Sequence, residues 1–236
     1  PPAALWAAFR RRMILVRTER IRDISGWVYT GMWSYCPEYP GAEVTELPQP
    51  AFLPPDMKVY LQKFCIGGQT GTYVETRAHV DPSSVPVTDL PLDEFVRSVV
   101  VLDVGAKGPR EPVTLEDIRR VDADIRPGDA VLISTGYDRL WDTPSFVSDS
   151  PFISRAAALA LFGRGIGMLG SDFPCFDCIT AREFPWPELW EKVNLVLAPV
   201  TNLQGLSGRC GTLLALPLKI RGACSAPCRA AILLDQ

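Results

Sequence analysis

Gln69-Thr70-Gly71-Thr72-Tyr73-Val74-Glu75-Thr76-Arg77-Ala78-His79 decides how this chain is read. It combines a glycine-permitted turn, a polar/apolar alternation of the strand kind, a carboxylate and the single histidine of the protein. In an extended strand, side chains two apart share a face. The alternation therefore predicts one strand edge carrying Gln69, Tyr73, Glu75, Arg77 and His79. A carboxylate beside an imidazole orients the ring and tunes its basicity. A phenol at Tyr73 can donate to a developing oxyanion, and the guanidinium of Arg77 can grip a carboxylate through two bonds. The competing reading is a solvated face, since a sheet often has one wet side.

The rest of the chain bounds what such an edge could serve. Its 236 residues suffice for one large domain, and 47% hydrophobic with 22% charged residues is ordinary globular composition. A net charge of −3 gives no basic surface for nucleic acid or an anionic membrane. No apolar run approaches the roughly 20 residues of a membrane span. The 7 cysteines are odd in number and scattered, which points to free thiols and a reducing, cytoplasmic setting. Cys175-Phe176-Asp177-Cys178 has the spacing of a redox or zinc half-site, but reads more simply as loop and core thiols.

Residues 1–20 are read as an N-terminal extension or leader, with a short apolar run, Ala3 to Phe9, followed by Arg10, Arg11 and Arg12. A domain over residues 21–236 follows. Lys58 to Ile66 alternates and reads as a strand leading into the motif. Leu90 to Val96 reads as one or two helical turns. Ser98 to Val104 and Ala130 to Thr135 are apolar runs suited to buried strands. Thr114 caps a helix over Leu115 to Val121, and Ser154 caps one from Arg155 to Phe162 that Gly163 stops. Further strands fall at 166–172, 193–198, 213–218 and 230–234, with a short helix over Pro185 to Lys192. There is no internal repeat and no low-complexity linker, so one domain is the economical reading.

Several of these segments, in order, resemble the cyclase family that includes kynurenine formamidase. The family motif has the form His-x-Gly-Thr-His-x-Asp-x-Pro-x-His. Gly71, Thr72 and His79 match it. Gln69 and Tyr73 stand at the first two histidines, Glu75 replaces the aspartate and Arg77 the proline. Gly31-Met32, Thr135-Gly136-Tyr137-Asp138, Gly170-Ser171-Asp172, Thr201-Asn202-Leu203, Pro217-Leu218-Lys219 and Pro227-Cys228-Arg229 resemble other family signatures. The resemblance implies a single α/β domain of the swivelling β/β/α kind with a mixed central sheet, assembled as homodimers or higher oligomers. It also implies a divalent metal that activates water. The family's later histidine and glutamate align with Trp186 and Ala198, which cannot ligate. The expectation is no cofactor. The alternative is a zinc or manganese ion held weakly by Glu75 and His79.

The expected catalytic residues are His79, Glu75 and Tyr73. Gln69, Arg77, Trp27, Trp33, Tyr137 and Trp186 are expected to bind a small-molecule substrate, the aromatics either as pocket wall or as core. Three functions stay open at this point. One is a cyclase-family enzyme that hydrolyses an amide, lactam or ester, or closes such a ring, with a degenerate metal site. Another is a metal-free biosynthetic cyclase, dehydratase or isomerase using His79 and Glu75. The third is a family member that only binds a ligand.

Overall fold

A computed structural model describes residues 20–235. The expected extension over residues 1–20 lies almost wholly outside the described residues. Twelve strands and three α-helices are described. The strands are β1 (Ile21–Asp23), β2 (Glu43–Glu46), β3 (Gln62–Cys65), β4 (Tyr73–Glu75), β5 (Val96–Asp103), β6 (Pro112–Val113), β7 (Ala130–Ser134), β8 (Phe152–Ile153), β9 (Met168–Ser171), β10 (Leu195–Ala198), β11 (Gly208–Pro217) and β12 (Ser225–Leu234). The helices are α1 (Leu115–Val121), α2 (Arg155–Phe162) and α3 (Trp186–Lys192).

The main sheet runs β1-β12-β11-β5-β7-β9-β10-β4. β4 also pairs with β12, so seven strands close into a barrel and β1 hangs on its outside edge. β5, β7, β9 and β10 run parallel to one another, while β4, β11 and β12 are antiparallel to their neighbours. The mixed α/β sheet expected from the sequence is present, and its closure follows from the double pairing of the short strand β4.

Alternation separates two cores. Val99, Val101, Leu132, Leu195, Leu197, Leu213, Ala230 and Ile232 point into the barrel. Their neighbours Val100, Leu102, Val131, Ile133, Leu169 and Val196 point outward, under Ala157 and Leu161 of α2 and Leu189 of α3. Gly170 lets β9 and β10 approach inside the barrel, because a Cβ there would lie 2.5 Å from the Leu197 carbonyl oxygen. Helix α1 starts at a reciprocal cap. The Thr114 hydroxyl accepts from Asp117 N at 3.2 Å, and the Asp117 carboxylate accepts from Thr114 N at 2.8 Å. Lys107 Nζ sits 2.7 Å from the same carboxylate. Burial alone would raise that group, but Lys107 and the Thr114 donors outweigh it and bring it down to about 2.

Two local expectations are corrected and one is sharpened. The 58–66 segment is a strand only over Gln62–Cys65, and it pairs with β2 in a separate two-stranded arm rather than joining the barrel. Residues 90–96 hold a short 3-10 turn, Leu92–Phe95, before β5 begins at Val96. The decisive stretch is not one long strand. Strand β4 ends at Glu75, and Thr76 then starts a 3-10 turn over Arg77–His79 with its hydroxyl accepting from Ala78 N at 3.3 Å. Threonine's short hydroxyl offers the backbone a local partner, and this ends the ladder.

Candidate active site

Strand β4 sets the site. Val74 faces the barrel interior, so Tyr73 and Glu75 must face outward. Across the ladder, Ala198 is opposite Tyr73 and Val196 opposite Glu75. The turn before the strand is fixed by Gly71, at φ +66°, and by Thr72. The Thr72 hydroxyl donates to Pro199 O at 2.7 Å and accepts from Gly26 N at 3.0 Å. Gly71 and Thr72, two of the three unaltered motif positions, thus hold the strand in place.

Above this face lies a hollow of about 590 Å³. Gln69, Tyr73, Glu75, His79, Trp186 and Ala198 all line it, with Tyr35, Cys175, Phe176, Asp177, Arg182 and Trp190 among the rest of its wall. The positions that the family motif would furnish with metal ligands therefore converge on one cavity. In this chain they carry an amide, a phenol, one carboxylate, one imidazole, an indole and a methyl group. A second hollow of about 330 Å³ adjoins it and shares Tyr35, Tyr39, Gln69 and His79.

Glu75 is 4% exposed. Burial pushes its carboxyl up to about 7, and one hydrogen bond from the Gln69 amide works against that shift. His79 Nδ1 lies 3.9 Å from Glu75 Oε2, too far for a direct bond but within range of proton exchange through one bridging atom. Partial burial lowers the imidazole from its ordinary value. Tyr73 OH meets Tyr35 OH at 3.0 Å, and Tyr35 also donates to Pro174 O. Burial, with the Glu75 charge, raises the Tyr73 phenol well above its ordinary value, so it stays a protonated donor. Trp190, on the same wall, has a buried indole N–H with no partner among the described residues. Buried donors of that kind are rare and suit a ligand acceptor.

Other sequence expectations land elsewhere. Arg77 leaves the predicted edge when the strand ends, and its Nε sits 3.3 Å from Asp81 on the surface. Trp27 is 82% exposed and lines neither hollow. Tyr137 is 1% exposed and stacks on Phe146 in the outer core. Trp33 lines only the smaller hollow, edge-on to Trp141. Tyr35, Trp190 and Cys224 are not among the residues expected at the site. Tyr35 sits in an irregular loop with no periodicity, and Cys224 has only Cys228 near it in sequence, at a poor spacing for a zinc pair. All seven cysteines are free. Cys175 faces the larger hollow, and burial pushes its thiol up to about 12.

The hollow outside the barrel thus joins acid/base groups to an aromatic wall. The comparisons give the family. The Cyclase family model matches residues 21–178. Kynurenine formamidase of Salinibacter ruber (strain DSM 13855 / M31) is 31% identical over 75% of this chain and 81% of its own. Among solved structures, an isatin hydrolase bound to the product analogue thioisatinate superposes with a TM-score of 0.79 at 22% identity, covering 100% of this chain and 99% of that one. A potential metal-dependent hydrolase with cyclase activity superposes with a TM-score of 0.69 at 22% identity, over 92% and 98% of the two chains. The chain belongs to the cyclase family, as an enzyme of its hydrolase kind. No described helix is long and apolar enough to cross a membrane.

Proposed function

We propose that the protein hydrolyses an amide, lactam or ester bond of a small molecule without the family's metal, using Glu75 and His79 in its place. The observation carrying this is the donor set of the hollow. A catalytic zinc takes about three protein ligands with lone pairs. Here one carboxylate is tied to Gln69, one imidazole stands 3.9 Å from it, and the remaining motif positions offer an amide, a phenol, Trp186 and Ala198. That set does not fit a catalytic zinc or manganese.

The same groups suit acid/base work. In its ionised form the Glu75 carboxylate takes a proton from water, directly or through His79. The water oxygen attacks the carbonyl carbon. As charge builds on the carbonyl oxygen, the Tyr73 hydroxyl turns from Tyr35, its partner in the free enzyme, and donates there. His79 returns the proton to the leaving nitrogen or oxygen. The stacked rings of Phe176, Trp186 and Trp190 form an apolar bed for the rest of the substrate. Formyl anilides and isatin are the first substrates to try, given the relatives' names. On whichever is turned over, the rate is expected to survive exhaustive chelation and to be unchanged by added zinc or manganese. Loss of activity on chelation, restored by one metal, would overturn the metal-free reading.

A further inference from the structure

The two hollows meet at Tyr35, Tyr39, Gln69 and His79, and the smaller one carries a group that the reading above leaves unused. Cys224 lines it. Its backbone is fixed beside the strand that bears Glu75. Cys224 O accepts from Thr76 N at 3.1 Å, and the next residue, Ser225, is opposite Glu75 in the β4–β12 ladder. Cys224 Sγ lies 3.9 Å from His79 Nδ1, within hydrogen-bond range for sulfur. The wall of this hollow also holds Trp33, whose indole N–H is buried with no acceptor among the described residues. The other thiols are placed differently. Burial pushes Cys175 and Cys228 up to about 12, and Cys65 is exposed. The chain has a single histidine, and Cys224 is the thiol beside it.

A thiol beside an imidazole, on a cavity with a spare donor, is the arrangement that nucleophilic acyl transfer needs. We propose that Cys224 is a nucleophile of this enzyme, attacking an acyl carbonyl held where the two hollows join and carrying the acyl group as a thioester. The proposal rests on the hydrolase reading above. His79 takes the thiol proton as sulfur bonds to the carbonyl carbon. The carbon–nitrogen or carbon–oxygen bond then breaks, and the leaving atom receives that proton. Water next attacks the thioester with His79 as base, the carbon–sulfur bond breaks, and the proton returns to sulfur. One water is consumed per turnover and no oxidant or reductant is needed. His79 Nδ1 is also 3.9 Å from Glu75. One nitrogen cannot serve both partners at once, so the His79 ring turns between them, and the Glu75 carboxylate shares its proton in both the acylation and the water step.

The test uses the full chain with p-nitrophenyl acetate, followed by stopped-flow absorbance and peptide mass mapping. The expected result is a burst of nitrophenolate with acetyl on Cys224, formed at least about tenfold faster than on exposed Cys65, the internal reference for solvent reactivity. In H79A, acetylation of Cys224 should fall to the Cys65 rate. C224A should lose the burst and roughly 10²-fold or more of turnover. Equal labelling of the two cysteines in the unaltered protein, which requires no variant to fold, overturns the proposal. So does a C224A protein with full turnover. If C224A is fully active while H79A is not, the nucleophile falls and the hydrolase reading stands. If C224A, H79A and E75Q are all fully active, both fall.

Discussion

Two buried carboxylates, Glu75 and Asp172, sit at the ends of strands in the same barrel and share one electrostatic fate. Burial pushes each up to about 7. Their company differs. Asp172 accepts from Thr135 N, Thr135 Oγ1 and Gly136 N, each at 2.7 Å, and is fully enclosed. Glu75 accepts one bond from Gln69 and looks into a hollow of about 590 Å³. A shifted carboxyl is therefore not in itself a site. What marks a site is unspent hydrogen-bonding capacity facing a space where a substrate fits. Asp172 spends its oxygens on tying the Thr135–Gly136 turn to the end of β9, and Glu75 keeps its own available.

Substitution should split the pair. Asp172→Ala leaves two backbone N–H groups and a hydroxyl buried without their acceptor. At about 1–3 kcal/mol for each unsatisfied group, the loss is roughly 3–9 kcal/mol. Urea unfolding would show it. A loss under about 1 kcal/mol would mean that the turn finds other partners. Glu75→Gln should act in the opposite sense. The raised carboxyl leaves stability intact below the ordinary carboxylate range, and that stability is lost as pH rises through about 7. Glutamine does not titrate. At pH 8 the variant should be the more stable by on the order of 2 kcal/mol, with the difference vanishing near pH 4. Equal unfolding midpoints at pH 8 would show that Glu75 is not strained by its burial. The smallest effects belong to residues expected at the site that the fold puts outside it. Trp27→Ala and Arg77→Ala should change stability by no more than about 0.5 kcal/mol and turnover by less than about twofold.

Much of the fold was legible. Helices α1 and α2 appear with the caps read from Thr114 and Ser154, because a capping side chain acts within four residues. The buried strands β5, β7, β9 and β10 announce themselves as apolar runs covered on both faces. Closure of the barrel was not legible. It depends on three residues, Tyr73–Glu75, pairing with two partners more than a hundred residues away, and no local pattern encodes that. The site was half legible. Gln69, Tyr73, Glu75, His79 and Trp186 do meet, although not along one strand. His79 reaches the hollow from a 3-10 turn, while Arg77 is carried away by it. Several segments resembling family signatures turned out to fasten the barrel. Asp138 accepts from Asn202 N at 2.8 Å, and Arg229 pairs with Asp23. A sequence shows which residues matter more readily than whether they hold the fold or do chemistry.

The pH dependence of kcat/KM for the unaltered enzyme and for Glu75→Gln, on one accepted amide or ester substrate, tests the central claim most directly. With the Glu75 carboxylate as base, kcat/KM of the unaltered enzyme should rise through about pH 7 to a plateau. Glu75→Gln should be roughly 10²- to 10³-fold slower there, with that rising limb gone. A variant that keeps both the rate and the limb would contradict the account, for the hollow would then be working without the one carboxylate it was read around.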